Sequence, residues 1–308
     1  MPTAFDHAVI AVGDLAEATK RYEALLGRPV SWRGVHPDAG TANALFRLEN
    51  CYLELLSPDG DGVLGTQVRA TLDSRGEGVL AFAFATSDVA AAAAALRERG
   101  IAVGPPQAGV GRGTPEGALG SDSQQPEVVR RWSSVLLPTA STRGIPVLIL
   151  EHQSPADLLP ATVPTGPAGS AVAAVDHAVV ISDDPGASAA FYGDALGLRL
   201  ALDRDFPKRG LRLIFFRVGG LTVEVAGPIE AKRDSDGQDR FGGLSYRVPN
   251  VDAIRARLLA ENFDVSEVRD GNKPGTRVCA VRSGTCGVPT LLLEPAPRSR
   301  LPEDRQGQ

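Results

Sequence analysis

The sequence predicts an α+β protein of four βαβββ units that form two open-barrel domains, and three observations predict it. The opening AFDHAVIAVGDLAEATKRYEALLGRPV returns as AVDHAVVISDDPGASAAFYGDALGLRL. Asp6 falls on Asp176, His7 on His177, Tyr22 on Tyr192 and Gly27 on Gly197, and the same displacement of 170 carries Glu54 of YLEL onto Glu224 of TVEV. A long-period repeat fixes architecture before any single element does. Within each copy the order strand, helix, strands then recurs once more. Finally, a chain of 308 residues with 43% hydrophobic content can bury two cores of ordinary domain size.

The elements follow in order. FDHAVIAV is β-branched and apolar on both faces, as a buried strand requires. Asp14 caps the next segment, where Leu15, Ala18, Tyr22, Leu25 and Leu26 recur at helical spacing until Gly27 ends it. Strands are expected at Val30–Val35, Ala42–Leu48 and Tyr52–Leu56, with Gly40 and Asn50 in the turns. VLAFAFAT opens the second unit, a helix starts after Ser87, and Ile101–Val103 reads as a strand. Residues 104–125 are rich in Gly, Pro and Ser, which reads as a long loop and a candidate lid. VVRRWSSVLLP and IPVLILEH complete the unit. Residues 153–174 are rich in Pro, Ala and Gly and read as a linker between domains 1–152 and 175–297. The second domain repeats the scheme with VDHAVVI, a helix through FYGDALG, LRLIFFRV and LTVEVAG, then GGLSYRV, the helix VDAIRARLLAENF, TRVCAVR and PTLLLEP. Residues 298–308 form a polar tail.

Composition narrows the function classes. The net charge is −5 with both signs interspersed, which excludes the clustered basic face of a nucleic-acid binder. No apolar run approaches the ~18 residues of a membrane span, and MPTAFDHAVI lacks the basic and apolar regions of a signal peptide. Cys51, Cys279 and Cys286 are too scattered for a disulfide framework, so a reduced, cytoplasmic protein is expected. The expected partner is a small-molecule substrate, and a homodimer is open.

The four units resemble the vicinal-oxygen-chelate superfamily, which includes glyoxalase I, extradiol dioxygenases, epimerases and bleomycin-type resistance proteins. The first half is similar to glyoxalase-like domains that carry H-P-x-x-G-T-x-N before Y-L-E-L, here His36, Pro37, Gly40, Thr41 and Asn43 before Tyr52–Leu55. The resemblance implies paired units curved around a divalent metal, with ligands from the first and last strand of a unit. His7 and His177 hold the first-strand positions, Glu54 and Glu224 the last-strand positions. Such a set suits Zn, Ni, Co, Mn or Fe and leaves positions for a chelating substrate. The even units lack it: Ala81 and Gly243 stand where His is needed, Leu148 and Leu291 where Glu is needed. Glu151 and Glu294, an odd step further along, face outward.

Two pairings are open. If neighbouring units pair, as chain order and linker favour, each barrel holds one His and one Glu. If the first and third units pair, one ion takes all four residues, which the ligand count favours. The implied chemistry is a metal-dependent lyase or isomerase step on a substrate with vicinal oxygens, with Glu54 or Glu224 moving the proton as in glyoxalase I. The alternatives are an extradiol-type dioxygenase and a metal-free binding or resistance protein. His36, Thr41 and Asn43 are candidate substrate contacts in the first half; Arg131 and Trp132 with Arg130 could hold an anionic, planar ligand by a bidentate pair and stacking, and Arg212 with Phe216 and Arg217 is similar in the second. Each has a plainer reading, a turn for Asn43 and solvated edge strands for the arginines.

Overall fold

The computed structural model describes residues 1–116, 126–234 and 236–297. The first unit comprises β1 (Ala4–Ala11), α1 (Leu15–Leu26), β2 (Trp32–His36), β3 (Thr41–Arg47) and β4 (Tyr52–Pro58). A helix α2 (Val63–Arg75) follows, then β5 (Gly78–Ala85), α3 (Val89–Glu98), β6 (Gln107–Pro115), β7 (Val128–Leu136) and β8 (Val147–His152). These eight strands close into a barrel in the order β1-β4-β3-β2-β6-β7-β8-β5. Two seams join the units, β1 with β5 and β2 with β6, both antiparallel.

The second half runs β9 (Ala174–Ile181), α4 (Pro185–Ala190) with a π-helical turn Phe191–Ala195, β10 (Arg199–Phe206), β11 (Leu211–Val218) and β12 (Leu221–Pro228). It continues with β13 (Arg240–Arg247), α5 (Val251–Ala260), β14 (Arg269–Asp270), β15 (Arg277–Val281) and β16 (Thr290–Glu294). Its sheet order is β10-β11-β12-β9-β13-β16-β15-β14, with one seam made, between β9 and β13. β10 and β14 are its two edges, so this sheet stays open. Neighbouring units therefore pair, and the expectation of one barrel shared by the first and third units is corrected: His7 and His177 lie on different sheets. The physical reason is the antiparallel β1–β5 and β9–β13 pairing, which uses the free edge of each first strand on its nearest neighbour in the chain.

The helix caps are those the sequence implies. Asp14, Asp88, Asp184 and Asn250 each accept a backbone N–H from the first turn, and Gly27 closes α1 in the left-handed region. The side chains of Glu151 on β8 and Glu294 on β16 turn to the helices, where each accepts the first N–H of a helix, from Val89 at 3.0 Å and Val251 at 2.8 Å. The main core is continuous across the halves: Phe82 meets Phe241 at 4.8 Å and the Tyr22 hydroxyl donates to Thr285 O.

In the first half three elements differ from the sequence reading. β6 occupies part of the expected loop, while residues 117–125 of that candidate lid lie outside the described residues. Its glycines are a packing requirement, since a Cβ at Gly109 would collide with the Trp132 indole and one at Gly113 with the Arg33 carbonyl. Ile101–Val103 is not a strand. α2 went unread because it has no side-chain N-cap and only a narrow stripe, Leu64, Val68 and Leu72. That stripe packs on Val9, Ala11, Leu56 and Ala81, plugging one end of the barrel with apolar side chains.

Candidate active site

Alternation along β1 and β4 puts His7, Val9 and Ala11 on one face with Tyr52, Glu54 and Leu56. The apolar members meet the α2 plug, and the polar members form the layer above it. His7 Nε2 lies 3.4 Å from Glu54 Oε2, and Glu54 Oε1 accepts from Asn43 Nδ2 at 2.7 Å. The Asn43 amide lies 3.3 Å from His36 Nε2, and His36 Nδ1 lies 2.9 Å from the Thr41 hydroxyl. On the other side Asp6 bridges two imidazoles, His7 Nδ1 at 2.7 Å and His152 Nε2 at 2.8 Å. Three of the chain's 4 histidines thus join one network.

This network neutralises itself. Burial would raise the Glu54 carboxyl, but hydrogen bonds from His7 and Asn43 and the nearby imidazoles hold it at about 2. Burial would lower His7, yet Asp6 and Glu54 raise it to about 9. His36, half-buried and with no carboxylate on its ring, is pushed down by loss of solvent. Tyr52 stacks on His7 at 4.4 Å and Trp132 meets the edge of His36 at 5.6 Å.

The second half repeats the pair in the same register, with Glu224 opposite Val179 as Glu54 is opposite Val9. His177 Nε2 lies 3.4 Å from Glu224 Oε2, and Nδ1 lies 2.9 Å from Asp176. The surroundings differ. At the displacement of 170, His36, Thr41 and Asn43 become Phe206, Leu211 and Leu213, although the turn glycine survives as Gly210. Glu224 therefore loses its amide donor. Among the described residues His177 is its one polar contact, and burial raises its carboxyl despite that imidazole. His177 and Glu224 line an open cavity of about 940 Å³ with Gly243, Ser245 and Cys286, bordered by Arg21 and Glu77 of the first half. Ser245 stands opposite His177 in the β9–β13 register, and its buried hydroxyl has no partner among the described residues.

The other predicted contacts separate. Trp132 joins the first barrel, but Arg131 is exposed, because alternation on β7 turns its side chain opposite to Arg130 and Trp132. Arg212 pairs with Asp203 through two bonds of 2.8 and 2.6 Å on the β10–β11 surface and does not border the cavity. Asp6, Tyr52, His152 and Ser245 join the sites without being candidates in the sequence, and Arg130 joins with its sequence neighbour Trp132. Asp6 carried a signal in the repeated Asp–His, and Arg130 in its two-residue spacing from Trp132.

A divalent metal is what the resemblance implies, and the two halves answer differently. A gap of 3.4 Å between imidazole nitrogen and carboxylate oxygen suits neighbouring ligands with metal bonds of ~2.1 Å. In the first barrel both nitrogens of His7 and both oxygens of Glu54 already have partners, and Ala81 with Leu148 fills the opposite wall. In the second half the under-compensated Glu224, the orphaned Ser245 hydroxyl and the open cavity fit an ion held by His177 and Glu224. No group of three or more His, Cys, Asp or Glu among the described residues could hold one.

Comparison with known proteins places this geometry. Residues 5–170 match the family described as the glyoxalase-like domain, and residues 176–280 match the glyoxalase/bleomycin resistance protein/dioxygenase superfamily. No protein of curated function matches the chain. A substituted 4-hydroxymandelate synthase from Streptomyces coelicolor shares the fold at TM-score 0.64 and 16% identity, over 97% of this chain and 95% of that one. A hypothetical protein from Staphylococcus aureus does so at TM-score 0.61 and 10% identity, over 95% and 98%. Methylmalonyl-CoA epimerase from Mycobacterium tuberculosis is 24% identical over 43% of this chain and 94% of its own, at TM-score 0.36. With over half its length matched in one stretch, the chain belongs to the glyoxalase-like family of the vicinal-oxygen-chelate superfamily.

Proposed function

We propose that the protein is a metal-dependent lyase or isomerase acting on a small substrate with vicinal oxygens, in the open cavity of the second half. The observation that supports it is Glu224, a half-buried carboxylate with one polar neighbour among the described residues, His177 at 3.4 Å, on the wall of a cavity of about 940 Å³. A carboxylate so far withdrawn from water and so poorly compensated is costly unless a cation completes it. His177 and Glu224 would hold the ion, of Zn, Ni, Co, Mn or Fe type, which would polarise the substrate oxygens as a Lewis acid. Asp176 accepts from His177 Nδ1, which would fix the tautomer and leave the Nε2 lone pair as the ligand. Glu224 Oε1, the oxygen turned from His177, would take the substrate proton and return it. The Ser245 hydroxyl donates to a substrate oxygen. Glu54, equal to Glu224 by sequence position, is bound within its own network and serves structure here.

The test is proton exchange. Metal-loaded protein in D2O should wash out the C–H next to the carbonyl of a hemithioacetal or 2-hydroxycarbonyl compound, followed by NMR, and Glu224→Gln should abolish it. Protein that takes up none of the five metals would overturn the proposal.

A metal-free binding protein is favoured by one observation, the self-satisfied His7–Glu54 network. An extradiol-type dioxygenase needs a second His, and the register places Gly243 opposite Val179 at that position. No helix among the described residues is long and apolar enough to cross a membrane. A cytoplasmic setting belongs to this reading and rests on the unbridged cysteines. So does a homodimer: the outer edge of β10 is free, and antiparallel pairing about Leu202 would set Arg199 against Asp205 of a second copy.

A further inference from the structure

The first barrel has its own cavity, at the end opposite the α2 plug. It measures about 300 Å³ and is lined by Asp6, Arg47, Tyr52, Arg130, His152 and Ser154, among others. Its charged groups are accounted for with one exception. Asp6 is held by His7 and His152. The Arg47 guanidinium donates to the carbonyls of Ala156 and Leu159. Glu49 at the rim pairs with Arg247 at 2.9 Å. Arg130 has no carboxylate within ion-pair distance among the described residues. It is held instead by two rings, Trp32 at 5.6 Å and Tyr52 at 5.7 Å.

Ring contacts of this kind fix the plane of a guanidinium while leaving its N–H edge free. A fixed fork with a free edge is the geometry that takes a planar carboxylate through two parallel hydrogen bonds. His152, half-exposed beside it, presents a second polar group to the same space. Residues 154–156 and Leu159 wall the cavity, so a ligand would be enclosed by the barrel rim and the following segment together. We infer that this cavity is a binding site for a small organic monocarboxylate, with Arg130 as its anchor. The inference is independent of metal chemistry in the second half.

Calorimetric titration of the full chain, after chelator treatment, tests it with three probes: benzoate, its uncharged match benzamide, and inorganic phosphate. Benzoate should bind at least tenfold tighter than benzamide and than phosphate. Arg130→Met should weaken benzoate at least tenfold, Arg130→Lys by less because the charge remains without the fork, and Arg131→Met should leave it unchanged. Unaltered near-ultraviolet circular dichroism in Arg130→Lys guards against a folding defect. Equal binding of benzoate and benzamide, full affinity in Arg130→Met, or preference for phosphate would each overturn the carboxylate site. Because the titration reads binding without turnover, failure of the second-half chemistry leaves the result interpretable.

Discussion

The two halves carry the same Asp–His–Glu trio at the same register, and they use it in opposite ways. In the first, Asn43 donates to Glu54, Asp6 is shared with His152, and a closed barrel with an apolar plug seals the set. In the second, Leu213 replaces that amide, Pro295 follows Glu294 where His152 follows Glu151, and the sheet stays open along β10 and β14. One carboxyl is held at about 2 and its counterpart is raised. The lesson is that a duplicated ligand pattern does not specify a duplicated function. Neighbouring donors decide whether a buried carboxylate is at rest or in want of a cation.

The largest effects should come from removing the two glutamates separately. Glu54→Ala leaves protonated His7 buried beside a broken network, and losing one partner of a buried pair costs about 3–5 kcal/mol. Denaturant unfolding should show that loss. Glu224→Gln removes a carboxyl that burial disfavours, so metal-free stability should change by less than about 0.5 kcal/mol or rise. Turnover and metal uptake should respond the other way, being lost in Glu224→Gln and kept within a few-fold in Glu54→Gln. Equal stability losses at both sites would break the comparison.

The pH dependence of stability should separate the halves next. His7 is raised from 6.5 to about 9, so its contribution is full below pH 6.5 and is lost as pH rises through 9. Glu54 is lowered from 4.5 to about 2, so its contribution is full above pH 4.5 and is lost as pH falls through 2. The first half is therefore best supported between these limits. Glu224 has the opposite sign to Glu54: its raised pKa favours the folded state below pH 4.5 and loses that advantage as pH rises through the folded value. Replacing Glu54 by Gln should flatten the acid limb of the stability curve, whereas Glu224→Gln should steepen it. Identical curves for both variants would remove the electrostatic distinction.

Most of the fold was legible because repeats, caps and β-branched runs are local signals. Ala81 and Gly243, which stand where the even units lack a ligand, also agree with the strand register, opposite Val9 and Val179. What stayed hidden was non-local. β6 read as a loop because its glycines answer to Trp132 and Arg33 across the sheet. Unit pairing depends on which strand edges meet, which residue identity does not encode. His152 lies 146 positions from Asp6 and becomes part of the network only once β8 and β1 flank β5. Of the adjacent Arg130 and Arg131, the alternation in VVRRW exposes Arg131 and turns Arg130 to the side of Trp132.

The smallest effects are expected at Arg212 and Arg131, two arginines that sequence position alone offers as ligand contacts. Arg212 holds Asp203 across β10 and β11 with both partners partly solvated, and such pairs contribute about 0.2–1 kcal/mol. Arg212→Ala should cost no more than that in denaturant unfolding and leave the exchange rate unchanged. Arg131 is exposed and engages its neighbour through the backbone, whose N–H donates to the Ser154 hydroxyl at 2.8 Å. Arg131→Ala keeps that bond, so stability should shift by less than about 0.5 kcal/mol. A tenfold loss of exchange in Arg212→Ala would place the substrate on the β10–β11 surface instead of in the cavity beside His177. The open edge of the second sheet, with its paired arginine, would then be the working face, and the contrast drawn between the two glutamates would have to move there.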